Sequence, residues 1–184
     1  MSLPQRSTVG RLLTGFAVAL AASGLAGGAC AQATSTQPSN SSIAVLQPIA
    51  LAKVSDLSFG TVVRPTSGSG NVLINATTGA RTITGSVTPM GSGPVAAISR
   101  AAFSVSGEGG QNFVITVPAS FNMTLAGQNP MTVTLTSSMS GGTLSNALGT
   151  AGSSSFGVGG QVTIASGTPS GSYTGSFTVT VAYN

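Results

Sequence analysis

The 184-residue chain has no histidine, no tryptophan, two acidic residues and one cysteine. Without histidine a Ser–His–Asp arrangement is impossible. Two carboxylates and a single thiol cannot furnish a zinc or calcium cage. The two acids, Asp56 and Glu108, both fall in expected turns, where a carboxylate serves as a local hydrogen-bonding group. Lys53 could in principle activate a serine, but it flanks an alternating apolar stretch, where a solvated or snorkelling lysine is expected. No glycine-rich stretch has the phosphate-loop spacing with its lysine. The expectation is therefore no enzyme, no cofactor and no metal.

Charge is equally scarce, at 4% of residues, while 41% are hydrophobic. Disorder needs the opposite balance, so the chain can bury a core. Its first stretch is not part of that core. Arg6 and Arg11 form a basic start, residues 12–26 an apolar run broken only by Thr14, Ser23 and glycines, and small residues follow. This is the pattern of a secretory signal peptide over residues 1–31, with cleavage after Ala31 or after Ala33. The run falls short of the ~20 residues a span needs, so no membrane span is expected in the mature chain. An uncleaved anchor is one alternative. A lipid on Cys30 is another, although Gly27 stands where a lipobox usually has a branched apolar residue.

Cleavage removes the only cysteine, and packing alone must then hold the mature protein. Its charges reduce to Lys53, Arg64, Arg81 and Arg100 against Asp56 and Glu108, four cations to two anions and a net of +2. Such scattered cations make no phosphate-tracking stripe, and no nucleic-acid partner is expected.

What the chain does have is alternation. At its end Tyr173, Phe177, Val179, Val181 and Tyr183 share one parity, with Gly175 as the gap, and Thr174, Ser176, Thr178, Thr180 and Ala182 the other. Successive strand side chains point to opposite faces, so this is a strand with one apolar and one mainly hydroxyl face. Near the start, residues 32–42 are a polar run without periodicity, read as a flexible leader. Ile43, Val45, Gln47, Ile49 and Leu51 then alternate across residues 42–53, with Pro48 inside the run. Proline cannot donate to a ladder, which puts this segment on an edge. It is either a donor arm or a first strand paired within its own chain.

Between these ends lie a short strand at 61–64 and a hairpin turning about Thr77, Thr78 and Gly79. A glycine- and proline-rich loop follows at 89–99, then a strand on Ala101, Phe103 and Val105. Gly107 to Gly110 reads as a tight turn, with return strands on Phe113 and Ile115, on Phe121 and Met123, and on Met131, Val133 and Leu135. Residues 137–155, nearly all small, read as a second long break, and Gly159 and Gly160 as a bulge or bend between Phe156 and Ile164. Turn signals every ~8–12 residues predict an all-β protein, a β-sandwich filling residues 43–184. Two Asn-X-Thr triplets, at Asn75 and Asn122, are taken as chance in a chain with bacterial-looking export.

Gly171, fourteenth from the C-terminus, the alternating strand after it and the penultimate Tyr183 resemble the C-terminal motif of pilins assembled by the chaperone–usher route. That resemblance implies an immunoglobulin-like sandwich lacking its last strand. A periplasmic chaperone would lend the strand first, and a neighbour's N-terminal arm would replace it after delivery to an outer-membrane usher. On this reading the arm carries Ile43, Val45, Ile49 and Leu51, and the receiving edge Gly171, Tyr173, Phe177, Val179, Val181 and Tyr183. A second resemblance spans nearly the whole mature chain. It is carried by residues 56–63 (Asp-Leu-Ser-Phe-Gly-Thr-Val-Val), by 103–108 (Phe-Ser-Val-Ser-Gly-Glu), and by Val158, Gly159 and Gly160 ahead of 171–175. These are similar to the secreted bacterial family called domain of unknown function 4402, which is immunoglobulin-like. The chain lacks the cysteine pair of many pilins.

The function expected is thus a structural subunit of a surface filament, a homo-polymer joined by strand donation. The alternative is a self-complemented secreted monomer serving as an adhesion or carbohydrate-binding module. Sugar sites usually want exposed aromatics and carboxylates, whereas here the 2 tyrosines and 7 phenylalanines nearly all sit at inward parity.

Overall fold

Apolar side chains at every second position, punctuated by glycine and proline turns, give strands and no helix among the described residues. The computed structural model describes residues 34–91, 93–94 and 97–184. The expected signal peptide, both cleavage positions and Cys30 lie outside them. Residues 34–42 are exposed, without regular structure. Ile43–Asn184 forms one unit. Its strands are β1 (Ala50–Ser55), β2 (Val62–Val63), β3 (Ser69–Ile74), β4 (Arg81–Gly85), β5 (Thr88–Pro89), β6 (Ala101–Glu108), β7 (Asn112–Thr116), β8 (Ser120–Met123), β9 (Met131–Ser137), β10 (Gly141–Thr143), β11 (Ala151–Ala165) and β12 (Thr180–Tyr183).

All pairings are antiparallel. One sheet runs β1-β6-β11-β9, and the other β10-β7-β12. Numbered along the chain with the minor strands set aside, these are first-second-fifth-fourth opposite third-sixth. That is the strand order of an immunoglobulin sandwich with nothing beyond the sixth strand among the described residues. Residues between β1 and β6 form an insertion in which β2 pairs β5 and the β3-β4 hairpin joins the larger sheet through β11. The inner faces share one core, with Phe103, Val105, Phe113, Val133, Phe156, Val158 and Val162 all buried. The Phe103 and Phe156 rings stack 5.2 Å apart across the β6-β11 pair.

The hairpin turn forms as its residues predict: the Asn75 side chain accepts from the N–H groups of Thr77 and Thr78, and Gly79 takes φ +74°. Four expectations need correction. The first strand starts at Ala50 rather than at residue 42 and pairs with β6 of its own chain. The expected turn from Gly107 to Gly110 is strand as far as Glu108, and Gly109 and Gly110 alone make the turn. The expected break at 137–155 contains β10 and the first residues of β11. Small residues misled there because the chains approach too closely for any side chain: a Cβ on Gly141 would stand 2.4 Å from the Phe113 carbonyl oxygen. On Gly152 it would stand 2.2 Å from that of Ser145.

Gly159 and Gly160 mark no bulge, for the ladders through them show no register shift. They lie where β11 exchanges one neighbour for another. β6 lines one edge over residues 151–158, β3 takes that edge from 160, and β9 pairs along the opposite edge at 158–162. A Cβ on Gly159 would stand 2.1 Å from the Ile74 carbonyl oxygen and 2.6 Å from Ala76 N. Gly159→Ala is therefore expected to destabilise the fold by about 1–3 kcal/mol or more in urea unfolding, because backbone must move to admit the methyl. Gly167→Ala, which meets nothing within 4 Å, should stay within about 0.5 kcal/mol of the parent.

Candidate functional site

The closing stretch keeps the expected alternation. Tyr173, Phe177, Val179, Val181 and Tyr183 are half-buried, and the residues between them are exposed. None of the five reaches full burial, unlike the inward positions of β6 and β11. The main chain explains why. β12 pairs with β7 through Thr180–Tyr183, and Thr174 exchanges two hydrogen bonds with Thr124. Between these points residues 175–179 join no ladder. The strand beside them turns its hydrogen bonds elsewhere: Pro118 has no N–H to give, the Ala119 carbonyl accepts from Leu135, and β8 pairs with β9 instead. Gly175 lies against β8 so closely that a Cβ would stand 2.4 Å from the Asn122 carbonyl oxygen, and Phe177 packs on Phe121 at 5.2 Å.

Across the sandwich, the first strand is in the same condition. β1 pairs with β6 and β12 with β7, so each keeps an edge without a ladder among the described residues. Ile49, Leu51, Leu57, Phe59 and Val62 are half-buried against the core on that side, as Phe177, Val179, Val181 and Tyr183 are on the other. Two rows of half-covered apolar side chains thus face one seam between the beginning and the end of the fold. The seam widens into a cleft of about 860 Å³ between residues 57–64 and 168–175, floored by Val72, Met131 and Ile164.

Both ends of the seam are tied. At one, the Arg64 guanidinium donates to the Thr168 carbonyl oxygen at 2.7 Å. At the other, Tyr183 Oη donates to the Gln47 carbonyl oxygen at 2.8 Å and accepts from the Glu108 N–H at 2.7 Å. The Glu108 carboxylate, 2% exposed, accepts from the N–H groups of Gln47 (3.1 Å) and Gly149. Glu108 was expected to bond locally within a turn; its partners are 61 and 41 residues away. The signal that could have placed it is the parity of Ala101, Phe103 and Val105, which continues to Gly107 and so carries the strand through the glycine. Gln47 carries no such signal.

The four residues expected in the arm divide at this point. Ile43 and Val45 are 90% and 83% exposed, whereas Ile49 and Leu51 pack against the core of their own subunit. Gly171 lies at the cleft against the Leu125 side chain. Asp56 pairs with Lys53 at 2.6 Å in solvent, an exposed pair that contributes little. Among the described residues no three His, Cys, Asp or Glu side chains come together, and no helix is long and apolar enough to cross a membrane.

What the arrangement can do is accept an extended peptide: an unladdered stretch of backbone lies beside apolar positions at strand spacing. A family model described as Domain of unknown function (DUF4402) matches residues 49–183. No curated protein matches the chain, and no solved structure does.

The division of the arm can be measured. Ile49→Ala and Leu51→Ala should each lower the unfolding free energy of the isolated subunit by about 1–2 kcal/mol, less than truncating a fully buried large aliphatic costs, because both are half-covered. Ile43→Ala and Val45→Ala should leave it within about 0.5 kcal/mol.

Proposed function

Within the family described as Domain of unknown function (DUF4402), to which this chain belongs, we propose that the protein is a structural subunit of a bacterial surface filament or fimbria. Its N-terminal arm enters the seam of a neighbouring copy. One observation carries this reading: a single chain has both an open apolar seam with unladdered backbone at 175–179 and an apolar arm whose Ile43 and Val45 are almost fully exposed among the described residues.

The two match in size. Five unladdered residues span roughly 17 Å of strand, and the five residues 42–46 ahead of Gln47 span the same. An arm laid along the gap would seat Ile43 and Val45 over the half-covered row that includes Phe177 and Val179. Burying those two side chains is worth about 3–6 kcal/mol, and each main-chain hydrogen bond about 1 kcal/mol more. Ordering the arm costs about 1–2 kcal/mol per residue, so the two apolar anchors alone do not offset it and the main-chain hydrogen bonds decide the balance. Donor arm and acceptor seam are different surfaces, so the contact is head-to-tail and propagates rather than closing into a dimer.

On this reading the chain is exported, passes through the periplasm under a chaperone that covers the same seam, and reaches the surface through an outer-membrane usher. It has no catalytic role. A second reading has one observation in its favour: Ile49 and Leu51 already pack in their own subunit. The protein would then be a self-complemented secreted monomer acting in adhesion or carbohydrate binding.

Deleting residues 34–46, or changing Ile43→Ser with Val45→Ser, should abolish polymer formation seen by electron microscopy while the thermal midpoint of the subunit stays put. A synthetic peptide of residues 34–47 added to the arm-deleted chain should raise its midpoint and slow amide exchange across 175–179. Polymers that form equally well without the arm, or a peptide that changes neither quantity, would leave the monomeric module standing.

A further inference from the structure

Gln47 is the first residue along the described chain whose main chain is held. Residues 34–46 are exposed and make no hydrogen bond among the described residues, while at Gln47 the N–H and the C=O are both taken, by the Glu108 carboxylate and the Tyr183 hydroxyl. The next residue is Pro48, which cannot donate to a ladder and keeps Gln47 extended. The chain therefore enters the sandwich where ordinary strand pairing is unavailable, and side chains from two distant segments supply the partners instead.

This contact is built for. Gly107 needs no side-chain-free backbone for its conformation, yet a Cβ there would stand 2.3 Å from Tyr183 Oη and 3.2 Å from Leu144 Cδ1. The tyrosine reaches Gln47 only because position 107 is empty. Glu108 is in turn covered from the 145–150 loop, whose Gly149 N–H it accepts. A Cβ on Gly109 would collide with the carbonyl oxygens of Ala147 and Thr150, so that loop is also seated on glycine. Three segments far apart in sequence, at 107–109, 144–150 and 183, converge on the main chain of Gln47.

We propose that Glu108, Tyr183 and Gln47 form a latch that sets how much of the N-terminal segment is donated. Closed, it leaves Ile43 and Val45 free to enter a neighbour and keeps Ile49 and Leu51 in their own seam. Open, it releases all four, so that the donated strand doubles its apolar anchors and the subunit exchanges its first strand with the next copy. This inference rests on the strand-donation reading, but the two fail separately. That reading is tested in the parent protein by deleting residues 34–46, whereas the latch is tested by variants that keep the arm whole.

The variants are Tyr183→Phe, which keeps the ring and removes the hydroxyl, and Glu108→Gln, which leaves one uncharged acceptor oxygen. Amide exchange on the purified protein, read by mass spectrometry, should rise at least tenfold over residues 47–51 in either variant, with β6 and β11 unchanged as the sign that the fold is intact. Ala52 faces Ser104 across the β1-β6 ladder, so the pair Ala52→Cys with Ser104→Cys crosslinks within one chain when the strand stays in its own subunit and between two chains when it is donated. Polymers of the variants carrying that pair should show chain-to-chain crosslinking on a non-reducing denaturing gel in at least twice the parent yield, because the strand that carries residue 52 now lies in a neighbour. Exchange at 47–51 equal to the parent in both variants would overturn the latch. So would faster exchange with crosslinking unchanged, since the length of the donated arm would then be set elsewhere. If either variant loses protection throughout β6, the other decides.

Discussion

Extended backbone beside a core is ordinarily laddered to a neighbour, and one run of this sandwich joins no ladder among the described residues. Residues 175–179 stay extended with their apolar side chains turned inward, yet no strand ladders to them from either side. On one side the neighbour has been drawn off: proline at 118 and the pull of β9 on β8 take away what would have continued the β7 ladder. On the other, the position a seventh immunoglobulin strand would fill is empty among the described residues. The half-burial of Phe177, Val179 and Val181, the matching half-burial of Leu51, Leu57 and Phe59, and the cleft between the two rows follow from that one shortage.

Elsewhere the fold is tightly made, and by unusual means for a chain with so few large side chains. β11 passes from one neighbour to another without a break because glycines at 157, 159 and 160 let three segments press on its backbone. The insertion before β6 is tied down by arginines, with Arg81 donating to the carbonyl oxygens of Phe59 and Thr61 and Arg100 to those of Ala76 and Thr77. These cations satisfy main-chain acceptors in loops that no ladder reaches. The contrast between a well-satisfied body and a poorly covered seam is what gives the seam its meaning.

Much of this was legible in the residues. Alternation at 101–105, 113–115, 131–135 and 180–183 gave strands with the right faces inward, because a β-branched or aromatic residue at every second position has few other uses. The strand expected over 173–179 keeps the faces but only an isolated bridge at Thr174. What stayed hidden was whatever depended on partners far along the chain. Glycine and serine at 141–143 and 151–155 read as loop because propensity registers a missing side chain as freedom, whereas the structure uses it as clearance. Glu108 looked like a turn residue because the loop that buries it lies some forty positions later. The same long-range dependence broke the last strand in two and divided the first segment at Gln47. Neither Pro118 nor Gln47 announces by its identity which strand it will lose or hold.

The contacts at Gln47 also bear on how the molecule carries load. A pull on the residues before it meets the peptide held by Tyr183 and Glu108, and behind that the β1-β6 ladder, whose hydrogen bonds lie across the direction of force. Bonds so placed are strained together in shear rather than peeled one at a time. With its only cysteine at position 30, the body has no covalent brace to share the tension. Its resistance to being stretched therefore resides in the short run from Gln47 to Ser55.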